Sequence, residues 1–189
     1  VICSITACIF IKCKDNYMFT ARQHNNSRTT IDDDLLYPGA FSMLKIRLKA
    51  GESIKAESDA MVAMSNTIDV EGKLDGGLFG GFGRLFTGES FFFQQLVARR
   101  GAGHVLLAHS IPGEIQALEL DGSTPYILHK DGFLAGSESL EISTKMQNLA
   151  QGFLSGEGFF VIKVSGHGTL FISSYGAIHP IDLPAGREV

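Results

Sequence analysis

Two stretches of this chain lie on one another without a gap, Ile46 to Val70 on Leu118 to Ile142. Leu48 falls on Leu120, Asp59-Ala60-Met61-Val62-Ala63 on Asp131-Gly132-Phe133-Leu134-Ala135, Ser65 on Ser137, and Ile68-Asp69-Val70 on Leu140-Glu141-Ile142. A second set of blocks follows. Gly88-Glu89-Ser90-Phe91-Phe92 matches Gly156-Glu157-Gly158-Phe159-Phe160, Gly103 matches Gly168, Gly113 matches Gly176, Ile115 matches Ile178, and Leu118-Glu119-Leu120 matches Ile181-Asp182-Leu183. A period of about 70 residues restricts the fold more than any other feature, because each unit must be one module that buries its apolar face against the next. The boundaries read as unit one at about 44–115, unit two at about 116–180, and the start of a third at 181–189. A half-formed unit exposes strand edges, so the natural protein is expected to continue beyond Val189.

Within each unit the pattern is that of short strands. Leu44, Ile46 and Leu48 alternate with Lys45 and Arg47 before a turn at Ala50-Gly51, and Val105 to Ala108 is an apolar run that ends near Pro112-Gly113. Phe160, Ile162 and Val164 share one strand face. The 22 glycines and 14 phenylalanines fit many tight turns between apolar strands. Leu140 to Leu149 is the best short helix candidate, but the repeat matches its start to a strand-like segment.

The expected domain runs over 36–189, with 1–35 a leader outside it. Asp32-Asp33-Asp34 reads as a solvated linker, since the Leu35-Leu36-Tyr37 that follows lacks the oxygen ligands and turn glycine of a calcium loop. Cys3, Cys8 and Cys13 all fall in the leader, and their spacing fits neither a redox pair nor a zinc knuckle, which favours a reducing compartment. The uncharged first 11 residues fit part of a signal core, and the basic mixture that follows weakly resembles an organellar transit segment.

Candidate chemistry is sparse. Gly83 to Ser90 has the spacing of a phosphate-binding loop, but Glu89 stands where the lysine must be, so the stretch reads as a structural turn. Leu78, Phe79, Phe82, Leu85 and Phe86, spaced by glycines and joined by Arg84, fit an apolar loop that touches a membrane or another subunit, or one folded on its own core. The six histidines, His24, His104, His109, His129, His167 and His179, form no ligand-spaced pair, so no metal or other cofactor is expected. No nucleophile elbow occurs. Glu89 and Glu157 recur in register, as turn residues would. A net charge of -4, with Arg99-Arg100 the one adjacent basic pair, gives no footprint for nucleic acid.

Leu48 to Ser53, Ala60 to Ser65, the Gly76 to Gly83 loop, Gly88 to Phe92 and Gly156 to Phe160 resemble, in their succession, the mitochondrial biogenesis family called altered inheritance of mitochondria twenty-four, over about Tyr37 to Val189. The resemblance implies an all-β fold similar to the tryptophan RNA-binding attenuator protein, with double-stranded β-helix-like sandwich units, three per chain, in a pseudo-trimer whose third unit is truncated here. It implies no catalytic residues. Fungal members are tied to organisation of the mitochondrial inner membrane, which implies that location for a eukaryotic chain and the cytoplasm for a bacterial one. Asp59 stands where the family usually has Gly, in a turn that Asp is expected to keep in the left-handed conformation.

The expected function is a non-enzymatic scaffold or interaction protein. Its expected partners are further copies or other proteins, and a membrane surface met through Leu78, Phe79, Phe82, Arg84, Leu85 and Phe86. A cupin-like small-ligand or metal-binding protein and an RNA-binding module are the alternatives.

Overall fold

The computed structural model describes residues 31–73, 93–147 and 159–181. Its strands are β1 (Asp32–Leu36), β2 (Met43–Leu48), β3 (Ser53–Glu57), β4 (Met61–Met64), β5 (Asp69–Lys73), β6 (Phe93–Val97), β7 (Gly103–Leu107), β8 (Ile115–Asp121), β9 (Tyr126–His129), β10 (Phe133–Ser137), β11 (Glu141–Gln147), β12 (Phe159–Ser165) and β13 (His167–Ser173). One helical turn at Lys130–Gly132 is the sole helical element among the described residues. The alternation that marked β2 places Leu44, Ile46 and Leu48 in the core and leaves Arg47 exposed, as the two-residue side-chain period requires.

Among the described residues every strand pair is antiparallel, and the order of pairing is the same in both halves. In the first half β7 lies between β2 and β4, and β6 between β5 and β3. In the second half β13 lies between β8 and β10, and β12 between β11 and β9. One ladder joins the halves: β3 pairs with β10, Ile54 opposite Ser137, Lys55 opposite Gly136 and Ala56 opposite Ala135. The result is a four-stranded sheet β1-β2-β7-β4, a six-stranded sheet β5-β6-β3-β10-β13-β8 and a three-stranded sheet β11-β12-β9.

The cores cross the same seam. Leu44, Ile46, Ile54, Leu96, Val105 and Leu107 of the first half enclose Leu134, Ala135 and Phe171 of the second. The second cluster, built on Leu128, Leu140, Ile162 and Leu170, takes Phe93 from the first half. Lys55 adds a polar tie, its Nζ donating to the carbonyl of Leu140 at 2.5 Å.

Two local expectations are corrected. Asp32-Asp33-Asp34 is not a solvated linker: it opens β1, in register with Arg47, Ile46 and Lys45, so the sheet begins before the expected boundary at residue 36. The Arg47 guanidinium pairs with Asp32 and Asp34 across the ladder on a face that stays open to solvent, so opposite charge on the neighbouring strand lets the triplet join a sheet. The Ser58-Asp59 turn needs no left-handed residue. Tyr37 is the one non-glycine with positive φ among the described residues, and the turn closes through the Ala60 N–H donating to the Glu57 carbonyl at 3.2 Å. The segment from Glu141 to Gln147 is strand, in keeping with its repeat match rather than with helical spacing.

Candidate functional site

The sheets have two chemically different ends. At one end the turns after β2, β6 and β10 surround an open groove of about 1020 Å³, lined by Arg47, Glu52, Ser53, His104 and Glu138 among others. Its charges largely face one another. Arg47 donates to Asp32 at 2.9 Å and also to Asp34, and these hydrogen bonds, the one to Asp34 first and the one to Asp32 second, raise the guanidinium pKa above its ordinary value. Ser53 Oγ donates to Glu138 at 2.6 Å, and Gln95 Nε2 donates to the other Glu138 oxygen at 3.0 Å, a polar contact across the two halves. The Gln95 side-chain carbonyl is buried with no hydrogen-bond partner. His104 N–H donates to Ser65 Oγ at 3.0 Å. Its counterpart in the other half is Thr169 N–H to Ser137 Oγ at 2.9 Å. Arg47 and Glu138 are thus each held by neighbouring side chains.

The opposite end is apolar. The β1–β2 connection, the segment before β8 and the segment after β13 run side by side, joined by parallel bridges from Phe41 to Gly113 and from Gly113 to Gly176. The gapless offset of the repeat carries Phe41 onto Gly113, and Gly113 is matched in turn by Gly176, so the three bridged residues are counterparts. Gly113 is required here, because a Cβ on it would lie 1.5 Å from the Ser174 carbonyl oxygen. The strands of backbone are bound by Glu114 N–H to Gly176 O at 2.8 Å and Gly176 N–H to Pro112 O at 3.1 Å. Around this junction Tyr37 is 72% exposed, Phe41 75%, Ile111 44% and Tyr175 49%.

Beside the junction is a group of acids. Burial pushes the Glu57 carboxyl above its ordinary range; the Asp59 backbone hydrogen bond opposes this, Asp59 and Asp131 charge reinforces it, and His109 also opposes it. His109 Nδ1 accepts from the Ile111 N–H at 3.1 Å, which leaves Nε2 to donate to the Asp131 carbonyl at 3.1 Å. Among the described residues no three His, Cys, Asp or Glu side chains converge as metal ligands would.

Leu78, Phe79, Phe82, Arg84, Leu85 and Phe86 lie outside the described residues. The strands that flank them, β5 and β6, end and begin at Lys73 and Phe93, opposite one another and opposite Glu57, at the apolar end. His24, Glu89 and Glu157 also lie outside, while His104, His109, His129, His167 and His179 are spread over both halves. Sequence reasoning missed Tyr37, Phe41, Ile111 and Tyr175. The one sequence signal near them is the match of Gly113 with Gly176, which marks the turns but not the exposed side chains on them.

The chain matches the family model described as mitochondrial biogenesis AIM24 over residues 34–189. It is 34% identical over 170 residues to an uncharacterized protein of Streptococcus pyogenes serotype M6, covering 86% of this chain and 66% of that protein. It is also similar to a Streptococcus pyogenes protein solved by X-ray crystallography as a structural genomics target, with 31% identity, a TM-score of 0.63, and coverage of 78% of this chain and 66% of that one. The chain thus spans about two thirds of the length of each relative.

Proposed function

Because the chain belongs to the mitochondrial biogenesis AIM24 family, we propose that it is a non-enzymatic scaffold or interaction protein that works through its β surfaces. The observation that carries this reading is that Tyr37, Phe41, Ile111 and Tyr175 are all exposed on the three segments that meet at one hydrogen-bonded junction. Large apolar side chains grouped on a rigid surface mark interaction sites. The paired charges of the groove at the other end support a structural rather than a catalytic use for it.

The same reading includes a membrane contact through Leu78, Phe79, Phe82, Arg84, Leu85 and Phe86, placing the protein at the inner membrane in a mitochondrion and in the cytoplasm of a bacterium. Flotation with liposomes tests the contact: Phe79→Ser and Phe82→Ser are expected to reduce membrane partitioning, and equal partitioning would remove it from the proposal. The scaffold reading is tested by capture of protein partners on the immobilised chain, with release on Phe41→Ser expected.

The proposal extends to architecture: β units similar to the tryptophan RNA-binding attenuator protein, three to a pseudo-trimer about the line of Phe41, Gly113 and Gly176. The recurring strand order and the β3–β10 ladder support it. Val62, the repeat counterpart of buried Leu134, is 54% exposed on β4, a surface suited to a further unit. A full-length relative in which Val62 becomes protected from solvent would support this arrangement, and one in which it stays exposed would refute it.

A further inference from the structure

The interaction reading says nothing about the chemistry of a partner, but the apolar junction and its acidic border do. We propose that Tyr37, Phe41, Ile111 and Tyr175, with Asp59 and Asp131 beside them, dock a peptide segment whose apolar side chains are flanked by Lys or Arg. This inference rests on the interaction reading and names the partner class for one of its surfaces.

The three segments that build the junction, 37–42, 110–113 and 174–178, contain no Lys, Arg, Asp or Glu. Their surface offers desolvation without the cost of stripping water from a charge. It is also preorganised. Gly113 packs against the Ser174 carbonyl, Ser174 N–H donates to Glu114 O at 3.2 Å, and the Glu114 carboxylate accepts from the Ile178 N–H at 2.8 Å. A partner would find the side chains already mounted on a fixed backbone, which lowers the ordering entropy of binding.

Charge selects among apolar partners. The His109 ring bridges the Ile111 N–H and the Asp131 main-chain carbonyl, so the turn that carries Asp131 is held to the backbone of the apolar segment, and the Asp131 carboxylate itself lies 3.4 Å from the His129 ring. Asp59 and Asp131 are exposed, and Glu57 feels the charge of both. A border of this sign complements Lys and Arg and disfavours an anionic lipid surface. The combination fits a peptide that alternates apolar and basic residues better than a bilayer.

The test titrates the full chain against three probes: a fluorescein-labelled peptide of alternating Leu and Arg, the same peptide with Glu for Arg, and phosphatidylcholine vesicles. The Leu/Arg peptide should bind at least tenfold more tightly than the Leu/Glu peptide. Phe41→Ser combined with Tyr175→Ser should weaken it at least tenfold, and Asp59→Asn with Asp131→Asn should flatten its salt dependence. Phe41→Leu, which keeps an apolar side chain, should retain binding, and an unchanged thermal transition in each variant shows that the fold is intact. Equal binding of the two peptides, or binding indifferent to Phe41 and Tyr175, overturns the proposal. So does capture by the vesicles that depends on those two residues, since the surface then belongs to lipid. If neither peptide binds while Phe79→Ser still alters flotation or protein partners are still captured, this proposal fails and the interaction reading survives.

Discussion

Leu134 and Val62 occupy matched positions in the two halves, yet one is 1% exposed and the other 54%. Leu134 sits on β10 and enters the core of the first half beside Ile54, Leu96 and Val105. Leu134→Ala removes buried carbon atoms from the first core, where a second-half strand enters it, and leaves a cavity, and comparable truncations cost about 2–5 kcal/mol. We take about 3 kcal/mol, because β10 is hydrogen-bonded on both sides, by β3 and β13, and the gap has little room to collapse. Val62→Ala removes less and from a half-solvated site; about half of the roughly 1.5 kcal/mol for burying a Val side chain gives about 0.7 kcal/mol. With a urea slope of about 2 kcal/mol/M, the midpoint should fall by about 1.5 M for Leu134→Ala and about 0.3 M for Val62→Ala. Urea unfolding followed by circular dichroism, with the slope checked for two-state behaviour, measures both. Similar losses at the two positions would refute the reasoning, since Val62 would then be covered in solution by something the chain's own β4 surface does not show.

Three other substitutions probe separate points. Gly113→Ala forces a Cβ to 1.5 Å from the Ser174 carbonyl, so the junction must part; loss of soluble folded protein, or exposure of the 110–114 and 174–178 amides to hydrogen exchange, is expected. Glu57 has a folded pKa raised by burial above its unfolded value, so the native state binds the extra proton and stability falls as pH rises through that interval. Glu57→Gln should therefore stabilise the protein at pH 7 and lose its advantage below the ordinary Glu pKa, which thermal melts at several pH values would record. Glu138→Ala removes the acceptor shared by Ser53 and Gln95 across the halves and should cost about 1 kcal/mol in denaturant titrations; no change would mean that water replaces it fully.

The strands were legible because their side chains alternate: Leu44, Ile46 and Leu48 announce β2, and the match to Asp69-Val70 identified β11 despite a helix-like spacing from Leu140. Strand β1 was not legible. Three consecutive aspartates look solvated until Arg47 is known to lie opposite them, and nothing local in 32–36 reports a partner 13 and 15 residues away. The exposed junction was hidden for a similar reason. Tyr37, Ile111 and Tyr175 are isolated apolar residues in Pro- and Gly-containing turns, and single exposed apolar residues carry little information. They become a surface only when the bridges at Phe41, Gly113 and Gly176 bring distant turns together.

The repeat also explains why its two halves carry different surfaces. Matched positions share a backbone but not a neighbour: Ala56 faces β10 across the seam, whereas its counterpart Leu128 lies on β9, the last strand of its sheet. Substitution is therefore free to diverge wherever one copy is covered and the other is not. Phe41 against Gly113 and Gly176 is the clearest instance, one side chain at a place where Gly113 has no room for any. A bulky residue at all three positions would separate the bridges. A single Phe keeps the junction closed and puts an aromatic ring on the segment that the β1–β2 connection supplies, while Ile111 and Tyr175 come from the other two segments. Moving the ring, by Phe41→Gly with Ala177→Phe, should preserve folding, because Ala177 is exposed, while shifting any binding that depends on the ring. Unchanged binding after that transfer would show that total apolar area, rather than the position of the ring, sets recognition.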